Sequence, residues 1–159
     1  MKIRIAGIVK ESIVDGTGIR FSVFTQGCPH KCKGCHNVHT HDFSGGYEVD
    51  INELVEQVRV NPLLNGITIT GGEPFRQAAA CCELAKRVKE LDKNVWCYSG
   101  YTIEELSELA KTDNDIKNLL GNCDVLVDGK FDESQADLTL KFKGSKNQRI
   151  IDLNTNTVY

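Results

Sequence analysis

GITITGGEPFRQAAACCELAKRVKELDKNVWCYSG, residues 66–100, is the stretch whose reading decides the fold. Its opening GITIT is β-rich and stops at Gly71-Gly72, the pattern of a short strand running into a turn. Between Phe75 and Leu91 the apolar positions Ala78, Cys81, Cys82, Ala85, Val88 and Leu91 recur at helical spacing, with Lys86, Arg87, Lys89 and Glu90 on the other side. Asn94 to Ser99 (NVWCYS) is β-rich again and ends at Gly100. A strand, a one-sided helix and a second strand make a βαβ unit, which predicts parallel pairing under a covering helix.

The same alternation extends in both directions. Upstream, Ile19 to Thr25 (IRFSVFT) reads as a strand that delivers a loop at Gly27 and Cys28. Residues 50–60 place Ile51, Leu54, Val55 and Val58 at helical spacing after Asp50, a suitable N-cap, and Asn61-Pro62 ends the pattern. Downstream, Thr102 and Glu105 match a capping box in TIEELSELA, Asp115 to Leu120 suggests a further short helix, and Asp124 to Val127 reads as a strand. Beyond residue 130 the periodicity weakens: KFKGSKNQ is a polar, turn-forming stretch, and Arg149 to Leu153 suggests a last strand. There is no internal repeat and no low-complexity linker.

With 159 residues and 40% hydrophobic content, the chain is expected to form a single domain over residues 1–159. A βαβ unit takes about 30 residues or more, so about four or five mainly parallel strands are expected. That falls short of an eight-unit barrel of about 250 residues, and the sheet should stay open on one side. The predicted strand tips at Cys28, Gly71 and Gly100 all lie at carboxyl ends, the side on which parallel α/β sheets bind ligands.

Charge and compartment narrow the function. Nineteen basic and 22 acidic residues are spread along the chain for a net charge of −3, which suggests neither a nucleic-acid nor a membrane-surface partner. The N-terminal MKIRIAGIVKESIVDG alternates apolar and polar residues and carries Glu11 and Asp15, unlike the core of a signal peptide. No stretch approaches the roughly 18 apolar residues of a membrane span. A cytoplasmic location is expected, where thiols stay reduced and clustered cysteines bind metals or act in catalysis.

The chain has seven cysteines, and three of them, Cys28, Cys32 and Cys35, fall within the loop TQGCPHKCKGCHN at residues 25–37. Buried structural thiols would be badly placed beside Lys31, Lys33 and His36. A zinc-binding module of the Cys₃His type would add His39, with His36 or His41 as substitutes. A [4Fe–4S] cluster takes one cysteine per iron, and Cys81, Cys82, Cys97 or Cys123 could supply a fourth. Cys81 and Cys82 lie in the predicted helix and Cys97 in the predicted strand, where packing accounts for them. What remains is a cluster with three thiolates and one open iron.

The Cys-x-x-x-Cys-x-x-Cys spacing resembles the signature of the radical S-adenosylmethionine (SAM) superfamily, and GGEP at residues 71–74 resembles that superfamily's SAM amino-group motif. The resemblance implies an open partial (βα) barrel of radical-SAM type, with Cys28, Cys32 and Cys35 holding a [4Fe–4S] cluster. SAM would chelate the fourth iron, and its reductive cleavage would release a 5′-deoxyadenosyl radical. Gly34, Cys35 and His36 would lie beside the adenosyl group, Gly71, Gly72, Glu73 and Pro74 would grip the amino-acid end, and Ser99 would touch SAM. Glycine lets backbone approach a ligand, a carboxylate accepts from an ammonium group, and proline suits a first helical turn.

VDGTGIR at residues 14–20 resembles the corresponding segment of glycyl-radical-enzyme activases. Together with CPHKCKGCHN, TGGEP, WCYSGY, DVLVDGKF and NQRIID, all in order, the chain is similar almost end to end to the anaerobic ribonucleoside-triphosphate reductase-activating family. That likeness implies hydrogen abstraction from a glycine of the reductase's glycyl-radical subunit, with flavodoxin or ferredoxin as electron donor. No catalytic residue is expected beyond the cluster and SAM. Pyruvate formate-lyase activase shares several of these features but is substantially longer, and 7-carboxy-7-deazaguanine synthase acts on a pterin. Trp96 and Tyr98 read as core; His30, His39 and His41 as solvent-facing or structural; Lys143 to Arg149 either contact the reductase or form a polar turn.

Overall fold

The computed structural model describes residues 1–35 and 37–159. The chain runs β1 (Lys2–Ser12), β2 (Arg20–Thr25), β3 (Tyr47–Asp50), α1 (Ile51–Arg59), β4 (Gly66–Gly71), α2 (Ala78–Lys89), β5 (Asn94–Tyr98), α3 (Ile103–Ala110), α4 (Asn114–Asn122), β6 (Val125–Asp128), β7 (Arg149–Asp152) and β8 (Thr157–Val158). Local chemistry sets several boundaries. The Asp50 carboxylate accepts from Asn52 N–H at the start of α1, Thr102 and Glu105 form a reciprocal capping box on α3, and Asp113 caps α4.

Among the described residues, eight strands form one mixed sheet in the order β3-β1-β2-β4-β5-β6-β7-β8. β2, β4, β5 and β6 are parallel, and each crossover steps to the next strand in the same direction. Phe21, Val23, Ile67, Ile69, Val95, Cys97 and Leu126 belong to one buried cluster with the apolar faces of all four helices. Alternation along the strands sends the neighbouring side chains to the opposite face, where Ser22 pairs with Thr68, Thr68 with Trp96, and Tyr98 with Val127.

That second face is buried as well, but largely polar. Arg20 has no solvent exposure: Nε donates to Thr68 Oγ1 at 2.8 Å, and the two terminal nitrogens donate to the carbonyls of Thr17, Ile67 and Asn94. Its guanidinium lies over the Trp96 ring, and burial lowers its pKa to about 10. The VDGTG segment seals this layer, with the Asp15 carbonyl accepting from Thr68 Oγ1 and the Asp15 carboxylate accepting from Ser12 and Ser22. Gly16 is required there, because a Cβ would stand 2.8 Å from both Arg20 Cδ and Trp96.

The expected fold class is corrected. Instead of a partial barrel of about four or five mainly parallel strands, the parallel block is flanked by antiparallel strands at both ends: β1 and β3 on one side, β7 and β8 on the other. The physical reason is connection length. Only seven residues separate β1 from β2 and four separate β7 from β8, too few for a parallel crossover. The apolar alternation of the N-terminus, which buries Ile3 and Ile5, is β1 itself.

Candidate functional site

The carboxyl ends of β2, β4 and β5 open into a cavity of about 430 Å³ on the polar side of the sheet. β2 leads through Gln26 and Gly27 to Cys28, β4 ends at Gly71, and β5 leads to Ser99 and Gly100. Cys28, Cys32 and Cys35 line the cavity together with Gly71, Gly72 and Ser99. The segment after β6 supplies the facing wall through Phe131, Leu138 and Phe142.

The thiol loop is closed on itself by backbone. Gly27 N–H donates to the Thr40 carbonyl, Cys28 N–H to that of His41 at 3.1 Å, and Cys35 N–H to that of Cys32. Cys28 is 7% exposed, and burial pushes its thiol pKa up, opposed in part by the nearby backbone of His30 and Lys31. Burial also raises Cys32, opposed in part by the nearby Phe131 backbone, and Cys35 Sγ accepts from Asn37 N–H. Among the described residues, no three His, Cys, Asp or Glu side chains close on one ion-sized point. The three thiols border a cavity instead, an arrangement suited to a multi-iron cluster that takes one thiolate per iron.

The GGEP turn is built against that loop. Gly72 N–H donates to the Thr25 carbonyl and Glu73 N–H to that of Gly27, both at 2.8 Å. A Cβ on Gly72 would lie 2.4 Å from the Gly27 oxygen, and Gly71 has φ of +95° with the β2 backbone 2.5 Å from its Cβ position. The glycines therefore allow two backbones of the protein to meet, whatever they also allow a ligand to do. Glu73 is fully buried behind this wall. Its carboxylate accepts from Ser99 Oγ on both oxygens, from Gly100 N–H at 2.8 Å, from Phe75 N–H, and from His30 Nε2 at 2.7 Å. Pro74, also buried, opens a 3₁₀ turn over Pro74–Gln77.

Other expected residues fall elsewhere. Gly34 has φ of +75° and lies against the Glu133 side chain, outside the cavity lining. His36, expected beside the adenosyl group, lies outside the described residues. Cys81, Cys82, Cys97 and Cys123 are buried under the helical face of the sheet, and burial drives the thiols of Cys81 and Cys97 well up. His39 is exposed, and His41 lines the cavity. Trp96 is buried on the polar face against Phe142, and Tyr98 lines the cavity with its hydroxyl donating to the Phe142 carbonyl. Lys143 lines the cavity and donates to the Gln148 carbonyl, within a turn that the Gln148 side chain organises through Gly144 and Ser145.

Residues 14–151, which include every wall of this cavity, match the family model of a 4Fe-4S single cluster domain. An anaerobic ribonucleoside-triphosphate reductase-activating protein of Pasteurella multocida is 38% identical over 148 residues, 87% of this chain and 90% of that protein. Relatives of the same name from Vibrio cholerae, at 38% over 87% of this chain and 90% of theirs, and from Enterobacteria phage T4, at 31% over 86% of each, agree. The chain belongs to the anaerobic ribonucleoside-triphosphate reductase-activating protein family. For a member of that family, a cavity bordered by three thiols is the feature that fits a 4Fe-4S domain. No helix among the described residues is long and apolar enough to cross a membrane.

Two parts of the candidate site were legible only partly or not at all. Of the two readings of His30, solvent-facing or structural, its 5% side-chain exposure and its contact with Glu73 exclude the first and leave the second. The available signal was its position inside the thiol loop. The 131–144 wall was invisible because it is irregular and carries no periodicity, apart from the Glu133–Gln135 3₁₀ turn.

Proposed function

We propose that the chain holds a [4Fe–4S] cluster on Cys28, Cys32 and Cys35, binds SAM in the adjoining cavity, and generates the glycyl radical of anaerobic ribonucleoside-triphosphate reductase. One observation carries the reading: three thiols, two strand tips and the GGEP turn share the wall of a single cavity. Its volume of about 430 Å³ falls within the range of about 300–1,000 Å³ common for small-molecule sites. When bound, a reduced cluster would supply the one electron that splits SAM into methionine and an adenosyl radical, which would take a hydrogen atom from a glycine Cα and leave as 5′-deoxyadenosine.

The chain's own residues bind, orient and enclose. Cys28, Cys32 and Cys35 serve as thiolates, and Asn37 N–H donates to Cys35 Sγ. Gly71, Gly72 and Ser99 face the SAM side of the cavity, whereas Glu73 acts on the ligand through the atoms it holds, Ser99 Oγ and Gly100 N–H. Pro74 fixes the turn. Leu138, 95% exposed on the cavity wall, and the exposed Val14 give the mouth an apolar rim, which suits a substrate presented by another protein. In this reading the partners are the reductase and a flavodoxin- or ferredoxin-type donor, and the chain works as one domain in the cytoplasm.

The relatives' printed names favour the reductase over pyruvate formate-lyase or a deazaguanine precursor as the target. Anaerobic reconstitution tests the cluster directly. Wild-type protein should take up about four irons per chain and release 5′-deoxyadenosine from SAM when reduced. Cys32→Ala should lose most of the iron and all cleavage. Full iron content and cleavage in that variant would overturn the assignment.

A further inference from the structure

We infer that His30 is a positioning residue that ties the cysteine loop to the buried Glu73 carboxylate, locking that loop onto the GGEP turn. The inference extends the functional reading above, and its first test is independent of it. Its place in the chain and one contact carry it. His30 stands between the loop cysteines Cys28 and Cys32, and its ring Nε2 is 2.7 Å from Glu73 Oε1. A carboxylate only accepts, so Nε2 carries the hydrogen of this contact.

The ring has little freedom to do anything else. It is 5% exposed and packs edge-on against Tyr101 with ring centroids 4.6 Å apart. Gly100 admits it, because a Cβ there would lie 2.3 Å from the imidazole. Glu73 meanwhile has no exposure and gathers donors from three other places: Phe75 N–H after the β4 turn, and Ser99 Oγ and Gly100 N–H after β5. His30 is the donor that comes from the thiol loop. Glu73 is thus a junction of three strand ends, and His30 is the strut by which the loop after β2 joins it through a side chain. A buried charged-group hydrogen bond removed on one side leaves the other side short of a donor, and the loop loses its fixed distance to the β4 and β5 tips.

The test compares wild type with His30→Ala and His30→Gln, the glutamine keeping an N–H donor of similar reach. In metal-free protein, iodoacetamide alkylation is followed thiol by thiol by mass spectrometry. Cys28 of His30→Ala should react about fivefold faster than in wild type while the core thiol Cys81 stays unchanged, and His30→Gln should return close to the wild-type rate, as expected for loss and rescue of a hydrogen bond to a charged group. Wild-type Cys28 reactivity in His30→Ala, or a glutamine variant as reactive as the alanine one, overturns the inference. Faster labelling of Cys81 as well, which marks general unfolding, also overturns it.

On reconstituted protein, the SAM concentration that half-saturates the change in the cluster's electron paramagnetic resonance spectrum should rise about tenfold in His30→Ala and recover in His30→Gln. A wild-type protein with no SAM-dependent change overturns the functional reading and leaves the alkylation result to decide His30. A wild-type response matched by His30→Ala overturns the inference alone.

Discussion

At the scale of residues, the site rests on a carboxylate that does not face its ligand cavity. Glu73 is buried with donors from His30, Phe75, Ser99 and Gly100. Glu73→Gln replaces one accepting oxygen with an NH₂ that must face a donor, and about 2 kcal/mol of stability should be lost. Urea denaturation of the metal-free protein measures this, and an unchanged midpoint would show that the donors are not directed at a charge. Sequence reasoning found Cys28, Cys32, Cys35, Gly71, Gly72 and Ser99, all of which line one cavity, because spacing and glycine pairs are visible in one dimension. It assigned Glu73 to the ligand and set His30 aside, because which atoms a buried carboxylate meets is decided by three loops that converge only in the folded chain.

At the scale of elements, two devices fix α3 beside the site. The Thr102–Glu105 capping box was legible as a motif, and Thr102→Ala should cost about 1 kcal/mol in thermal or chemical unfolding. The second device was not legible, since it joins distant segments. Arg149 on β7 pairs with Glu104 at 2.6 Å and with buried Asp128 on β6, whose carboxylate also accepts from Ile103 N–H. The Arg149 hydrogen bond lowers Glu104 from 4.5 to about 2. A folded-state value below the unfolded one means that this contribution is complete above about pH 4.5 and is lost as pH falls through about 2. Glu104→Gln should therefore flatten the acid limb of a stability-versus-pH curve within that window; because the pair is solvent-exposed the change should be small and should shrink further in salt.

At the scale of the molecule, the four parallel strands and their helices follow from hydrophobic periodicity, each with a clear start or stop signal. Of the antiparallel ends, β7 was legible as the expected last strand at residues 149–153, and the others were not, for distinct reasons. β1 was seen only as apolar alternation at the N-terminus, β3 is four residues long and merges into the N-cap of α1, and β8 has two residues. Their consequence for function is that the sheet grows outward at both margins and leaves the cavity over its parallel centre, where the thiol loop, the GGEP turn and the 131–144 wall meet. In the proposed function, this meeting place makes a radical for another protein. The most direct measurement mixes reconstituted protein, SAM, reductant and the candidate anaerobic reductase without oxygen, and records the electron paramagnetic resonance spectrum. A glycyl-radical signal on the reductase that requires SAM and all three loop cysteines is the predicted result; release of 5′-deoxyadenosine with no radical on the reductase would contradict the account.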